Sequence, residues 1–287
     1  MSIILTREQV EEIKKAEKIR LHKARTELDP VVYDHLRKKY GSFLKDYWNS
    51  IEIPIHAPNT VLLVERRKHP NMEFVLHNHM YFANKSGESF SLTIVCSDFN
   101  EEYVRECLGK HQETAIILPI FHGEGSREQG VADYNRLFTD KKFWEGFEAE
   151  YILSIQTDSY LRNPLPDILW DYEYVACKWG WKQELVGGGG LTWRKKSALV
   201  RLCQRDNKNG TIPEDVYFSE GCKELNIHIP SYSIGIQMFS ESILVSNPIG
   251  VHQWWTYYNE LLFYTPEEER IKQNTDSIFI DYMTLNL

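Results

Sequence analysis

The stretch Tyr151-Ile152-Leu153-Ser154-Ile155, followed by Gln156-Thr157-Asp158-Ser159, decides how this chain is read. The apolar run predicts a buried strand, bounded by polar residues and then by Asn163-Pro164. In an open α/β sheet, ligands bind beyond the carboxyl ends of the strands, so Asp158 would stand at the rim of a pocket. A carboxylate there can hold a divalent cation against a phosphate. Alone, the tetrapeptide reads equally well as an Asp-Ser turn closing a strand.

Upstream of this stretch, strands and helices alternate. Apolar runs at Thr60–Val64, Ser91–Cys96 and Thr114–Leu118 predict three more strands. Helical patterns fall at Asn71–Phe82, Glu101–Leu108, Val131–Leu137 and Lys141–Ala149. Four strand-helix units in succession predict an α/β fold with a mostly parallel, Rossmann-like sheet flanked by helices. After residue 160 the pattern loosens into shorter strands, a glycine run and aromatic clusters.

Residues 1–56 differ, and are read as a helical N-terminal extension to a main domain at 57–287. Thr6-Arg7-Glu8-Gln9 has the form of a capping box and starts a helix. That helix is expected to end before Asp29-Pro30. A second is expected from Val31 to Trp48, with Tyr33, Leu36, Tyr40, Leu44 and Trp48 on one face. The segment is either an arm for self-association, making a homo-oligomer, or a collar packed on the main domain.

At 287 residues and 42% hydrophobic composition, the chain can bury a sizeable core. Its net charge of -8 argues against general nucleic-acid binding, which needs a basic field. Cys96, Cys107, Cys177, Cys203 and Cys222 are scattered, with no zinc-like spacing, which fits free thiols in a reducing compartment. No apolar run approaches a membrane span, and the N-terminus lacks a signal-peptide pattern. The expected location is therefore cytoplasmic. The sequons at Asn84 and Asn209 read as chance matches.

Five constellations could carry chemistry. Glu65-Arg66-Arg67-Lys68-His69 follows the first strand, where guanidinium groups suit a diphosphate; Arg66, nearest the strand end, is the preferred candidate. Asp98 ends the second strand and could accept hydrogen bonds from a base or ribose, or cap a helix. Gly187-Gly188-Gly189-Gly190 leaves backbone N–H groups uncovered and lets a ligand approach closely. A nucleotide P-loop is absent, since no Gly-Lys-Ser/Thr follows at the required spacing. Glu214-Asp215 opens an amphipathic helix, where acids either complement the dipole or, facing a pocket, supply a general base. His252 is either a packed core histidine or a metal ligand, the second only if Asp158 is one too. Trp179, Gly180 and Trp181 could form an aromatic face for a sugar ring, or belong to the core.

Taken in order, these pieces resemble a GT-A fold glycosyltransferase over roughly residues 59 to 256. The chain resembles a poorly characterised family of glycosyltransferase-like proteins from large DNA viruses, bacteria and fungi. The likeness is carried by Val64–Pro70, Tyr134-Asn135-Arg136-Leu137, Phe143-Trp144, Gln156-Thr157-Asp158-Ser159, Gly188–Arg194 and Glu214–Phe218. The Glu-Asp-Val segment is also similar to that of Fringe-type β-1,3-glycosyltransferases.

The resemblance implies inverting transfer of a hexose or pentose from a UDP- or GDP-sugar to a hydroxyl of a glycan or protein-glycan acceptor. It implies donor contacts at Glu65, Arg66, Asp98, Arg136, Gln156, Asp158, Gly188 and Gly189. Mn²⁺ or Mg²⁺ would sit on Asp158 and His252, and Asp215, or alternatively Glu214, would act as base. Were the protein viral, it would lie in the host cytoplasm or the virion. GT-A enzymes usually carry Asp-X-Asp. Here Gln156 replaces the first carboxylate and weakens the grip on a cation, leaving a non-catalytic glycan- or nucleotide-binding protein as the rival reading.

Overall fold

A computed structural model describes residues 6–180, 182–206, 210–257 and 281–287. The first half runs α1 (Arg7–Ser50), β1 (Asn59–Val64), α2 (Met72–Asn84), β2 (Phe90–Ser97), α3 (Glu101–Leu108), β3 (Ile116–Phe121), α4 (Arg127–Phe138), α5 (Lys141–Glu145) and β4 (Tyr151–Ile155). The second half runs β5 (Ser159–Leu161), β6 (Tyr174–Cys177), β7 (Gly188–Lys195), α6 (Lys196–Leu202), α7 (Glu214–Glu224), α8 (Tyr232–Met238), β8 (Phe239–Ser240), β9 (Gly250–His252) and α9 (Trp254–Tyr257).

The main sheet has the order β3-β2-β1-β4-β7-β6. Strands β1 to β4 are mutually parallel, and β7 runs antiparallel between β4 and β6. One buried cluster packs α1 and α2 on one face; a second, with Phe138, Trp144, Leu199 and Phe218, covers the other. This is the expected α/β architecture: a mostly parallel Rossmann-type sheet flanked by helices. The chain builds outward from β1 to β3, then returns to lay β4 on the other side of β1. The crevice beyond β1 and β4 is thus the topological switch point, where such sheets bind ligands.

The N-terminal segment departs from expectation. The capping box is present, with Thr6 Oγ1 accepting from the Gln9 backbone N–H, but one helix then continues through Pro30 to Ser50. A proline inside a helix forfeits a hydrogen bond and crowds the preceding turn, at about 3 kcal/mol. Packing offsets this, because Val32, Tyr33, Leu36, Tyr40, Leu44 and Trp48 are all buried in the same core as β1 and β2. That half of α1 is a packed collar. Two smaller differences follow the same logic of context over pattern: the third strand is Ile116–Phe121, and α5 is only five residues long.

A second sheet, β5-β9-β8, stands beside the first. Ser159 pairs with His252 across β5 and β9, and Ser240 pairs with Val251 across β8 and β9. Asp158 precedes β5, Glu241 follows β8 and His252 ends β9. Three short strands therefore bring these residues to one edge.

Candidate functional site

His252 stands between two carboxylates. Its Nε2 is 3.2 Å from Asp158 Oδ1, and its Nδ1 is 3.2 Å from Glu241 Oε1. The backbone N–H of Gln253 donates to Asp158 O at 3.1 Å, fixing the turn to the strand. Neither charged contact is aligned as a hydrogen bond. Asp158 Oδ1, His252 Nδ1 and Glu241 Oε2 are each buried without a hydrogen-bond partner.

The charges are strongly coupled. Burial alone would lower the His252 pKa, but Asp158 and Glu241 outweigh it and raise the imidazole to about 9. Burial likewise pushes the Asp158 carboxyl up, while the His252 charge and contact, with help from Arg25, bring it below its ordinary value. His252 is thus held between two acids, and its Nε2 also lies 2.8 Å from the Gln253 amide nitrogen.

The glycine run was expected to present bare backbone to a ligand. In the structure Gly188–Gly190 is part of β7, and each missing side chain makes room for a functional group of the protein itself. A Cβ on Gly188 would lie 2.7 Å from Glu241 Oε2; on Gly189 it would overlap Glu214 Oε1, and on Gly190 the His252 ring. Gly187, at φ +135°, has a backbone conformation that L side chains rarely adopt.

Glu214 and Asp215 open α7 as expected, but face different surroundings. Glu214 is buried behind Gly189, 3.3 Å from Arg194, and its backbone N–H donates to Asn135 Oδ1. Arg194 is fully buried among the rings of Phe138, Trp144, Tyr174 and Phe218. Burial raises Glu214 to about 7 against the pull of Arg194. Asp215 is only partly buried; its Oδ1 accepts from the Val216 N–H at 2.7 Å. Burial, followed by the nearby Glu241 charge, holds its pKa above the usual value.

The first loop ties the switch point together. Glu65 is buried, grips Arg67 at 2.6 Å and accepts from Thr157 Oγ1 at 3.2 Å. Arg66, the preferred diphosphate ligand from sequence, is instead engaged by Asp133 at 2.7 Å and by the carbonyls of His122 and Gly123. Its guanidinium also lies over the Phe121 ring. Asp98 is exposed and accepts from the Gly123 N–H at 2.6 Å, which fastens β2 to the loop after β3. Arg136 is exposed on α4, paired with Asp133 at 3.3 Å. Gln156 begins the turn, its carbonyl accepting from the Ser159 backbone N–H at 3.1 Å. Trp179 is buried, while Trp181 and the Asn209 sequon lie outside the described residues.

Sequence reasoning missed Glu241 and Asp29. Glu241 follows a strand of two residues, too short for any periodic signal, and only the pairing of β8 with β9 delivers it. Asp29 was read as a helix end because Pro30 follows. It lies within α1, with Oδ2 accepting from Asn71 Nδ2 at 3.0 Å; the same amide reaches Thr157 O at 3.2 Å. Burial raises Asp29 to about 6, opposed by the Asn71 hydrogen bond and reinforced by the Asp158 charge.

The orphaned Glu241 Oε2 and His252 Nδ1 lie on one side of the ring, while Asp158 faces its other nitrogen, Nε2. Cys177 Sγ lies close to the Glu241 and His252 donor atoms, all within 4.8 Å of one another. Burial holds that thiol well above its usual pKa and so neutral. The remaining close donors, the Glu241 carboxylate and the His252 imidazole, are of types that can serve a cation such as Mn²⁺ or Mg²⁺. No helix among the described residues is long and apolar enough to cross a membrane.

A family model described as a protein of unknown function (DUF5672) matches residues 126–252, less than half of the chain. That span contains Asp158, the glycine run and Glu214-Asp215, and ends on His252. No curated protein matches the chain. Among solved structures, the chain is similar to a mannosyltransferase, PcManGT, from Pyrobaculum calidifontis in complex with GDP-Man and Mn²⁺. The identity is 15% and the TM-score 0.40, over 74% of this chain and 66% of that one, just under two thirds of its length.

Proposed function

We propose that this protein is a divalent-metal-assisted glycosyltransferase of inverting type, which moves a sugar from a UDP- or GDP-sugar to a glycan hydroxyl. The observation that carries the reading is the placement of His252 between Asp158 and Glu241, each of the three with a buried unpartnered polar atom, beside the β1/β4 switch point. Carboxylate and imidazole donors beside a switch point suit a metal-bound diphosphate.

A cation on Asp158 and His252 would neutralise charge on the departing diphosphate. The two neighbouring acids favour the protonated form of His252, so a cation held there would compete with that proton. Arg67, kept in place by Glu65, adds positive charge at the end of β1. Asp215 takes the proton of the attacking hydroxyl; its raised pKa brings it nearer to neutral pH, where a general base works best. Glu214 serves by holding Arg194 and the start of α7 rather than by meeting substrate.

Gln156 supports a second reading, a GT-A-like protein that binds a nucleotide or glycan without turnover, because an amide at that place gives no charge to a cation. A thermal-shift screen of UDP, GDP and their sugars, with and without Mn²⁺, tests the shared core of both readings. A Mn²⁺-dependent rise in melting temperature with one nucleotide series is expected. No shift with any nucleotide would refute the enzyme and leave, of the second reading, only glycan binding. Donor turnover then separates the enzyme from the binding protein.

A further inference from the structure

We propose that helix α1 forms a wall of the donor site, with Arg25 and Asp29 contacting the nucleoside-diphosphate sugar directly. This rests on the glycosyltransferase reading above. The helix crosses the mouth of the switch-point crevice. On one side His22 Nδ1 approaches Arg127, at the start of α4, at 3.5 Å; on the other the Tyr33 hydroxyl donates to Ser159 O at 3.0 Å. Residues 22–33 therefore bridge the space over Thr157 and Asp158.

The pattern along α1 changes at that point. From Val32 to Trp48 its inner face is apolar and buried. Arg25 and Asp29, one turn apart on the same side, continue this face with charges. A purely structural helix would carry aliphatic residues there, as it does at Ala24 and Leu28.

Neither side chain has all its polar atoms hydrogen-bonded among the described residues. Arg25 Nε is buried without a hydrogen-bond partner. Asp29 uses Oδ2 for Asn71, whose amide oxygen is itself held by Arg37 at 2.9 Å, and Oδ1 has no hydrogen-bond partner among the described residues. A guanidinium matches phosphate oxygens, and a carboxylate accepts from ribose or sugar hydroxyls. The pair thus suits a ligand carrying both, and α1 supplies a carboxylate near Asp158 where residue 156 is an amide.

Isothermal titration of the full chain with UDP, GDP and their sugars in Mn²⁺ tests this. Arg25→Gln is expected to weaken diphosphate binding about tenfold or more, the scale of a lost charged hydrogen bond. Asp29→Asn should weaken the nucleotide sugar similarly, raising KM with kcat little changed. Glu27→Ala, exposed and away from this face, should bind as wild type does. Arg25→Lys and Asp29→Glu repeat the test if the first variants melt early. Wild-type affinity in folded variants at both positions would overturn the proposal while leaving the enzyme reading intact. Absence of any nucleotide binding by the unaltered protein would overturn both.

Discussion

The His252 ring lies flat against the bare Cα of Gly190, so closely that any Cβ there would overlap Nε2. Gly190→Ala must therefore move the imidazole out from between Asp158 and Glu241. Overpacking of this kind costs about 1–3 kcal/mol. We expect a modest fall in melting temperature together with a loss of Mn²⁺ affinity much larger than that fall suggests. Calorimetric Mn²⁺ titration of the variant checks it; unchanged affinity would show that His252 holds no metal.

Glu214 and Arg194 form a buried pair behind the glycine strand. Removing one partner strands a charge, at about 3–5 kcal/mol. Glu214→Ala should thus destabilise severely, while Glu214→Gln with Arg194→Met should recover much of the loss. Urea unfolding of the single and double variants measures the coupling. If the single and double variants prove equally unstable, the pair is not the reason Glu214 matters.

Asp215 carries the proposed proton transfer. Asp215→Asn preserves size and leaves an amide oxygen to accept from the Val216 N–H. Its turnover should fall about 10²–10⁴-fold with donor affinity retained. Steady-state kinetics with separate KM and kcat values decide the point. A variant of normal kcat would move the base elsewhere.

His77 gives the fold a measurable pH dependence away from the site. Its ring packs on Trp48 at 4.6 Å, its Nε2 is buried without a partner, and burial lowers its pKa to about 4. The unfolded chain takes up this proton near pH 6.5, whereas the folded chain does so only near 4. Stability from this residue is therefore complete above about pH 6.5 and lost as pH falls towards 4, by up to roughly 3 kcal/mol. In His77→Phe that loss disappears. The stability of the variant relative to wild type should rise steadily between pH 7 and 4.5; a constant difference would contradict the assignment.

The part of the fold legible in the sequence is the part governed by local periodicity. The strands at β1, β2 and β4, and the start of α7, fall within a residue or two of expectation because their apolar spacing is self-contained. Pro30 misled for a physical reason: its local cost is outweighed by a buried stripe that begins two residues later. The glycine run was recognised as a place needing close approach, where a ligand was expected; the groups that approach it in the structure are Glu214, Glu241 and His252. Asp158 and His252 were legible as a pair. Glu241 was not, since strand pairing rather than sequence spacing brings it there. Arg66 looked free in the sequence only because Asp133 lies far from it along the chain.

The most direct test of the central claim is release of nucleoside diphosphate from a panel of UDP- and GDP-sugars, with Mn²⁺ present or chelated. We predict Mn²⁺-dependent release from one donor series, reduced by Asp158→Asn to the level seen with chelator. Release that survives both chelation and Asp158→Asn, or no release from any donor that binds, would contradict the account of Asp158–His252–Glu241 as the metal corner of a sugar-transfer site.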